Sequence, residues 1–316
     1  MEGEISLCGL RLPEVWVGTD LAELIVKAAE ERCSGLKDGD VVVITSKVVL
    51  KAKGMVFKLD EVKPSLAAKA IAALTGKNPK EVELVLRAAE DVIAVLKMRK
   101  PRREFLKRIS PDPEAAEELF KQIPALLVVR TRQGLIALDG GVDYSNLPPG
   151  YAIANVSDFD EDARELRRRL RELTGREVAV VISDTESNTS GKLGTVDVAV
   201  GCSGIKPVTP YFASRDRYGR PKFGGIDIVV DELASAAALL MGQTSESVPA
   251  VIVRGVKYEV SDEGVKDYAI RFRGMSLKEV FRNALVKLIY RTLYRRREAV
   301  MSPSSPKGSV TSARPA

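Results

Sequence analysis

Short, continuous apolar runs bounded by turn residues dominate the chain. Val41 to Thr45 follows the turn Asp38-Gly39-Asp40, and Val178 to Ser183 follows the helix stop at Gly175. Thr195 to Val200 runs into Gly201 and Gly204, and Pro249 to Arg254 ends at Gly255. Each reads as a buried strand. Ala125 to Arg130 and Gly134 to Leu138 read as a strand pair, and Ile226 to Val230 as a further strand. Leu10 to Val17 is extended or turning around Pro13.

Helical signals lie between these runs. Thr19 or Asp20 caps a helix to about Cys33, closed by Gly35. Ser65 opens an Ala-rich helix that Gly76 ends, and Asn78-Pro79-Lys80-Glu81 starts another that runs to about Asp91. Asp160 to Thr174 puts Ala163, Leu166, Leu170 and Leu173 on one face and its arginines on the other. Leu233 to Met241 is a small-residue helix, and Ser276 to about Arg295 is a long amphipathic one with Ser276 and Glu279 as a capping box. The pattern predicts an α+β fold of mixed or antiparallel sheets with flanking helices, in two subdomains that divide near residue 150 at Pro148-Pro149-Gly150. Leu96 to Ile123 reads as an inserted basic arm, residues 256–300 as a C-terminal helical extension, and the Ser/Pro-rich stretch Met301 to Ala316 as a disordered tail.

Composition narrows the chemistry. The 316 residues, 45% hydrophobic, are enough for one large or two ordinary domains with a substantial core. No apolar run approaches a membrane span and no leader pattern opens the chain, so a soluble, cytoplasmic protein is expected. The 3 cysteines, Cys8, Cys33 and Cys202, make neither a disulfide framework nor a zinc spacing. There is no histidine, which removes Ser-His-Asp and Cys-His catalysis and His-metal sites together. Chemistry is left to carboxylates, Lys, Arg, hydroxyls, backbone groups or a metal held by oxygen. The net charge of +6 suits nucleic acid or a phosphorylated small molecule. The basic cluster of the arm (Lys97, Arg99, Lys100, Arg102, Arg103, Lys107, Arg108) carries few aromatics between its charges. It reads as a solvated surface, and nucleic acid is not the expected partner.

Candidate chemistry gathers where strands end. Asp184 and Thr185 follow the run that begins at Val178; a carboxylate there is costly to bury without a partner, and a hard cation would supply one. Taken locally, Asp184 caps a turn. Val41 to Thr45 opens into Ser46, Lys47, Lys51 and Lys53, which alone reads as an edge strand with solvated lysines. Asp139-Gly140-Gly141 leads to Asp143 and Asn146, locally an ordinary turn, and Gly242 to Ser247 is a loop rich in hydrogen-bonding groups. Familiar phosphate motifs fail. Ser190-Gly191-Lys192-Leu193 lacks the P-loop hydroxyl and has Glu186 where the first glycine belongs, and Gly201-Cys202-Ser203-Gly204 is no dinucleotide fingerprint.

Several stretches together resemble one family. LPEV with DLAELI, DGDVVVITSKVVLKAKG, GGVDYSN, VVISDT, VAVGCSGIKPV, RDRYGR, VDELASAAALLMGQ and PAVIVRG occur in the order of the archaeal coenzyme F420-0:L-glutamate (γ-glutamyl) ligases, across most of Leu10 to Gly255. The resemblance implies an α+β fold peculiar to that family, a homodimer, and a ligase that uses GTP with Mg²⁺ or Mn²⁺. It joins L-glutamate to the carboxylate of a deazaflavin coenzyme F420 precursor through an acyl phosphate. It further implies metal binding by Asp143, Asp184, Thr185 and Gln243. Nucleotide contact is implied for Leu12, Pro13, Glu14, Val15, Ser46, Lys47, Lys51 and Asn146, and for Met241, Gly242, Gln243, Thr244, Ser245, Glu246, Ser247 and Val248. No catalytic residue is assigned. After the Asp-Thr pair the family has a Gly-Arg segment with a further Arg before the next Gly. This chain has Glu186 to Lys192, where Lys192 replaces one charge but not the bidentate geometry of arginine. The alternatives are a ligase of the same fold with another carboxylate acceptor, or a non-catalytic paralogue that binds nucleotide or nucleic acid.

Overall fold

The computed structural model describes residues 3–187, 194–270 and 277–289. In chain order it contains β1 (Ser6–Leu10), α1 (Leu21–Cys33), β2 (Val41–Thr45), α2 (Ser46–Ala52), β3 (Val56–Lys58), α3 (Leu66–Thr75), α4 (Pro79–Ala88), β4 (Ala89–Lys97), α5 (Arg103–Ile109) and α6 (Pro113–Gln122). There follow β5 (Ala125–Thr131), β6 (Ile136–Leu138), β7 (Tyr151–Ile153), α7 (Phe159–Thr174), β8 (Ala179–Ser187), β9 (Thr195–Ser203), α8 (Val229–Met241), β10 (Ala250–Arg254) and α9 (Leu277–Ile289). The mix of helices with mixed and antiparallel sheets agrees with the expected α+β class. Met1–Ile270 form one compact unit, and α9 belongs to a second, Arg271–Ala316.

The main sheet has the order β1-β10-β2-β8-β9, antiparallel except where β2 and β8 run parallel. Its central strands are apolar on both faces, because helices cover both. Val42, Ile44, Val180 and Ile182 pack with Ile25 of α1 and Leu170 of α7, while Val41, Val43, Val181 and Val253 pack with Leu233 and Ala237 of α8. Two smaller antiparallel sheets, β3-β7 and β4-β5-β6, complete the unit.

Local signals account for the helix ends. Asp20 accepts the Glu23 amide at 3.2 Å, Ser65 accepts that of Ala68 at 3.1 Å, and Asn78 accepts that of Lys80 at 2.9 Å. α7 is held from its first turn. Asp160 is fully buried and accepts the amides of Cys202 and Val265 at 2.9 Å and of Lys266 at 3.1 Å. Backbone amides satisfy this carboxylate, and they tie the helix to β9 and to the 265–268 turn.

The structure corrects several expectations. The chain already forms a strand at Ser6–Leu10, one that reaches its neighbours without a long apolar run. β2 lies third of five strands, not at an edge, and the Lys-bearing stretch after it is helix α2. α4 stops at Ala88 and the backbone continues as β4, since pairing with β5 overrides the helix-favouring Ala88-Ala89-Glu90. Ile226 to Val230 is not a strand: α8 begins at Val229, with Asp231 and Glu232 in the first turn where the helix dipole favours acids. Not among these corrections is the subdomain boundary expected near residue 150, which lies within the compact unit Met1–Ile270, where β7 pairs with β3 and the Leu59 amide donates to the Gly150 carbonyl at 2.8 Å. Cys8 and Cys33 form a disulfide, Cα to Cα 6.1 Å, which joins β1 to the end of α1. Their separation of 25 residues carries no local signal, and the fold alone brings them together.

The inserted arm is an excursion between paired strands, since Lys97 at the end of β4 lies opposite Ala125 at the start of β5. Its cations meet acids of the same arm, Lys100 with Glu117 at 2.6 Å and Arg103 with Glu114 at 3.1 Å. Such surface pairs contribute little. The expected capping box at Ser276 and the tail from Met301 lie outside the described residues.

Two outcomes follow from this packing. A Cβ on Gly201 would sit 2.3 Å from the Phe159 carbonyl carbon, so Gly201→Ala should destabilise the fold by about 3 kcal/mol or prevent folding, as read by denaturant unfolding. The remaining free cysteine, Cys202, is buried, and burial with the nearby Asp160 charge pushes its thiol up to about 12. A maleimide should leave the native protein unlabelled near neutral pH. Denaturation should then expose only Cys202, and reduction all 3 cysteines. Labelling of Cys8 or Cys33 before reduction would contradict the disulfide.

Candidate functional site

The parallel pairing of β2 with β8 brings two strand ends to the same edge of the sheet, with Thr45 level with Ser183. Beyond that point β2 turns into α2 at Ser46, and β8 runs on beside β9 through a bulge between Ile182 and Ser183. Asp184 therefore lies within a strand and does not cap a turn. Its Oδ1 accepts the Ser46 hydroxyl at 2.9 Å, and its Oδ2 accepts the Asn155 side-chain amide at 2.6 Å. Asn155 is buried just after β7. The chain opposite is Gly141, with φ at 68°, where a Cβ would lie 2.1 Å from the Asn155 amide nitrogen. Loss of hydration pushes the Asp184 carboxyl above the usual range, against the Asn155 and Ser46 hydrogen bonds, and the Asp143 charge adds to the rise. Both side-chain donors are neutral, and among the described residues no ion pair includes Asp184.

Asp197 lies directly across from Thr185 in the β8–β9 ladder. Its Oδ1 accepts the Thr185 hydroxyl at 2.8 Å and the Gln243 amide at 3.4 Å. Asp197 is 4% exposed, and it too enters no ion pair among the described residues. Asp143 differs. Lys47 pairs with it at 2.7 Å, and the Ser145 amide and hydroxyl each donate to it at 2.8 Å. Burial opposes its charged form, but the lysine and these hydrogen bonds outweigh burial and hold its carboxyl below the usual range. Lys51 is buried, paired with Glu14, and sits 5.1 Å from the centre of the Trp16 ring.

The loop after α8 closes the site. Glu246 folds back to accept the Thr244 amide at 2.8 Å and hydroxyl at 3.1 Å. Asn146, itself at a positive φ of 56°, donates to the Thr244 carbonyl at 3.0 Å. The Leu12 amide donates to the Ser247 carbonyl at 3.4 Å, so the first loop of the chain borders the same space.

Together these elements line one open cleft of about 540 Å³. Every residue expected to bind metal or nucleotide lies on it: Leu12 to Val15, Ser46, Lys47, Lys51, Asp143, Asn146, Asp184, Thr185 and Met241 to Val248. The volume suits a drug-sized or nucleotide-sized ligand. No group of three acidic, His or Cys side chains forms a ready metal cluster among the described residues. The donors do fit a hard cation held by a mixed set. Among the described residues Asp184 and Asp197 have no cationic partner, and the Thr185 hydroxyl and the Gln243 side-chain amide stand beside Asp197. Sequence reasoning missed Asn155 and Asp197. The argument applied to Asp184, that a lone acid in a β-branched run needs a partner, applies equally to Asp197 in Thr195 to Val200. Of the segment Glu186 to Lys192, Glu186 accepts the Leu138 amide at 3.4 Å, while residues 188–193, with Gly191 and Lys192, lie outside the described residues.

Known proteins are similar in sequence to this chain. A coenzyme F420:L-glutamate ligase of Methanopyrus kandleri is 41% identical over 266 residues, 84% of this chain and 92% of that protein. The protein of the same name from Methanothermobacter thermautotrophicus is 39% identical over 265 residues, 83% of this chain and 94% of that one. That of Archaeoglobus fulgidus is 34% identical over 284 residues, 90% and 95% respectively. Residues 9–255, which hold every residue of the cleft named above, match the family described as F420-0:Gamma-glutamyl ligase, and the chain belongs to that family.

Proposed function

We propose that the protein joins the amine of L-glutamate to the carboxylate of a coenzyme F420 precursor, using GTP and a divalent cation, Mg²⁺ or Mn²⁺. What supports this reading is the convergence on one cleft of all the residues that the family resemblance assigns to metal and nucleotide. An acceptor carboxylate oxygen attacks the γ-phosphorus and GDP leaves, giving an acyl phosphate. The glutamate amine then attacks the acyl carbon, inorganic phosphate departs, and the amine gives up a proton. The cation, when bound, neutralises phosphate charge.

The protein's own groups bind and orient. Asp184, Asp197, Thr185 and Gln243 offer oxygen ligands. Lys47 and Lys51 bring positive charge to the phosphate side of the cleft, each with an acid beside it that holds it in place. Asn155 and Ser46 fix both oxygens of Asp184. Chemistry of this kind depends on positioning and charge neutralisation, which a chain without histidine supplies. The cytoplasm and a homodimeric state belong to the same proposal; among the described residues no helix is long and apolar enough to cross a membrane.

Purified protein with GTP, L-glutamate, Mg²⁺ plus Mn²⁺ and the F420 precursor should yield a glutamyl-extended product and matching GDP by mass spectrometry. Asp184→Ala should lower turnover about 100-fold or more. Failure of GTP to bind in the presence of metal would remove the reading. GTP binding without product would shift it to another carboxylate acceptor, which the Glu186 to Lys192 departure already favours as the second reading.

A separate test addresses the support behind Asp184. Gly141→Ala places a methyl group against the Asn155 amide and should release it from the carboxylate. The metal concentration for half-maximal turnover should rise about tenfold, as should that of Asn155→Ala. An unchanged metal requirement in both variants would show that Asp184 does not meet the cation.

A further inference from the structure

The family match covers residues 9–255, and the chain continues beyond it. Helix α9 (Leu277–Ile289) belongs to this extension and to the second compact unit. The cleft is lined by residues from Leu12 to Pro249, so the ligase reading leaves α9 without a role.

The pattern along α9 is specific. Helical spacing places Leu277, Val280, Phe281, Ala284, Leu285 and Leu288 along one arc. Lys278 and Arg282 fall at one border of that arc, with Ile289 between them, and Lys287 falls at the other. Glu279 and Asn283 fall on the opposite side, where Val286 is the one apolar exception. Charge is concentrated here as well. From Leu277 to Arg297 the sequence has seven Lys or Arg and one Glu, an excess of six. The whole chain has a net charge of +6, so outside this stretch its charges balance. In the sequence after α9, Tyr290 and Tyr294 alternate with the arginines Arg291 and Arg295 to Arg297.

A helix cannot bury its own apolar arc, so the arc needs a second surface. A neutral apolar groove would use the arc and gain nothing from the cations beside it. An anionic lipid surface uses both. Long Lys and Arg stems lie along an apolar boundary while their heads reach the headgroups, so cations at both borders, with the acid on the far side, suit a helix lying in the interface. The 13 residues of α9 make a helix about 20 Å long, too short to cross a hydrocarbon core of about 30 Å.

We propose that α9 binds an anionic lipid surface, with its apolar arc among the acyl chains and its cations at the headgroups. The cleft and its reaction need no change for this. The extension supplies a peripheral attachment that the family unit by itself does not carry.

The test is co-sedimentation of the full chain with vesicles of phosphatidylcholine, alone or mixed with phosphatidylglycerol. The protein should bind the mixed vesicles, bind the neutral ones weakly, and be released by added salt. Phe281→Glu with Leu285→Glu should weaken binding about tenfold or more, and so should Lys278→Gln with Arg282→Gln. Val286→Gln, off the arc, should bind as the unmodified protein does. Thermal unfolding and mass in solution should be the same in all of these proteins, since α9 lies outside the unit Met1–Ile270. If the paired glutamates do disturb folding, the paired glutamines decide, because they leave the arc intact. Failure to bind the mixed vesicles overturns the proposal, as does equal binding to neutral vesicles or undiminished binding by the paired glutamines. A fall in mass or in the unfolding midpoint on adding the glutamates, in a protein that does not bind vesicles, would assign the arc to a second copy or to the first unit instead.

Discussion

The parallel pairing of β2 with β8 fixes the rest of the site. In an antiparallel pair, Ser46 and Asp184 would leave at opposite ends of the sheet. Here both chains run the same way, and the register that sets Thr45 beside Ser183 delivers the serine hydroxyl to the carboxylate. That register is strongly held. Alternate residues of both strands belong to different cores, one under α1 and α7, the other under α8. A slip of one residue would exchange the two sets, moving every side chain to the other face. The placement of one hydrogen bond at the cleft thus inherits the packing of two cores.

Around that fixed point the acids fall into two kinds. Asp143 and Glu14 are matched by Lys47 and Lys51. Asp184 and Asp197 are met by hydroxyl and amide groups, which orient a carboxylate without neutralising it. Asp160 shows what the same fold does when a buried acid is purely structural: three backbone amides converge on it. The pair at the cleft is aimed and, among the described residues, left short of positive charge, an arrangement that costs stability unless that charge is supplied.

The sequence made the central strands legible because they are buried on both faces and read as unbroken apolar runs between turns. Helix starts at Asp20, Ser65 and Asn78 were legible because a capping side chain is a local device. What escaped depends on distant partners. β1 is short and carries Gly9, whose added Cβ would lie 2.9 Å from Val248, so its apolar signal is weak because its neighbours stand close. β4 begins in a helical sequence and becomes a strand only beside β5. The Cys8–Cys33 bond needs β1 and α1 in place first. At the site, Asp184 and the lysines of α2 follow apolar runs in the sequence and Asp143 follows a glycine turn, so polar residues draw notice there, whereas Asn155 follows the short strand β7 and shows its use only through Gly141 and Asp184.

Overall charge is a poor guide to where ligands go on this chain. The net charge is +6, yet the arm that carries the densest cations pairs Lys100, Arg103 and Lys121 with its own acids. The lysines that line the cleft are few, and packing and ion pairs hold them. Next to them, across a wall that includes Glu186, lies a second space that no Lys or Arg among the described residues lines. Beside Lys47 and Lys51 the cleft is lined by Glu14, Asp143, Asp184, Glu186, Asp197 and Glu246, so an anionic ligand there calls for a bound cation as well.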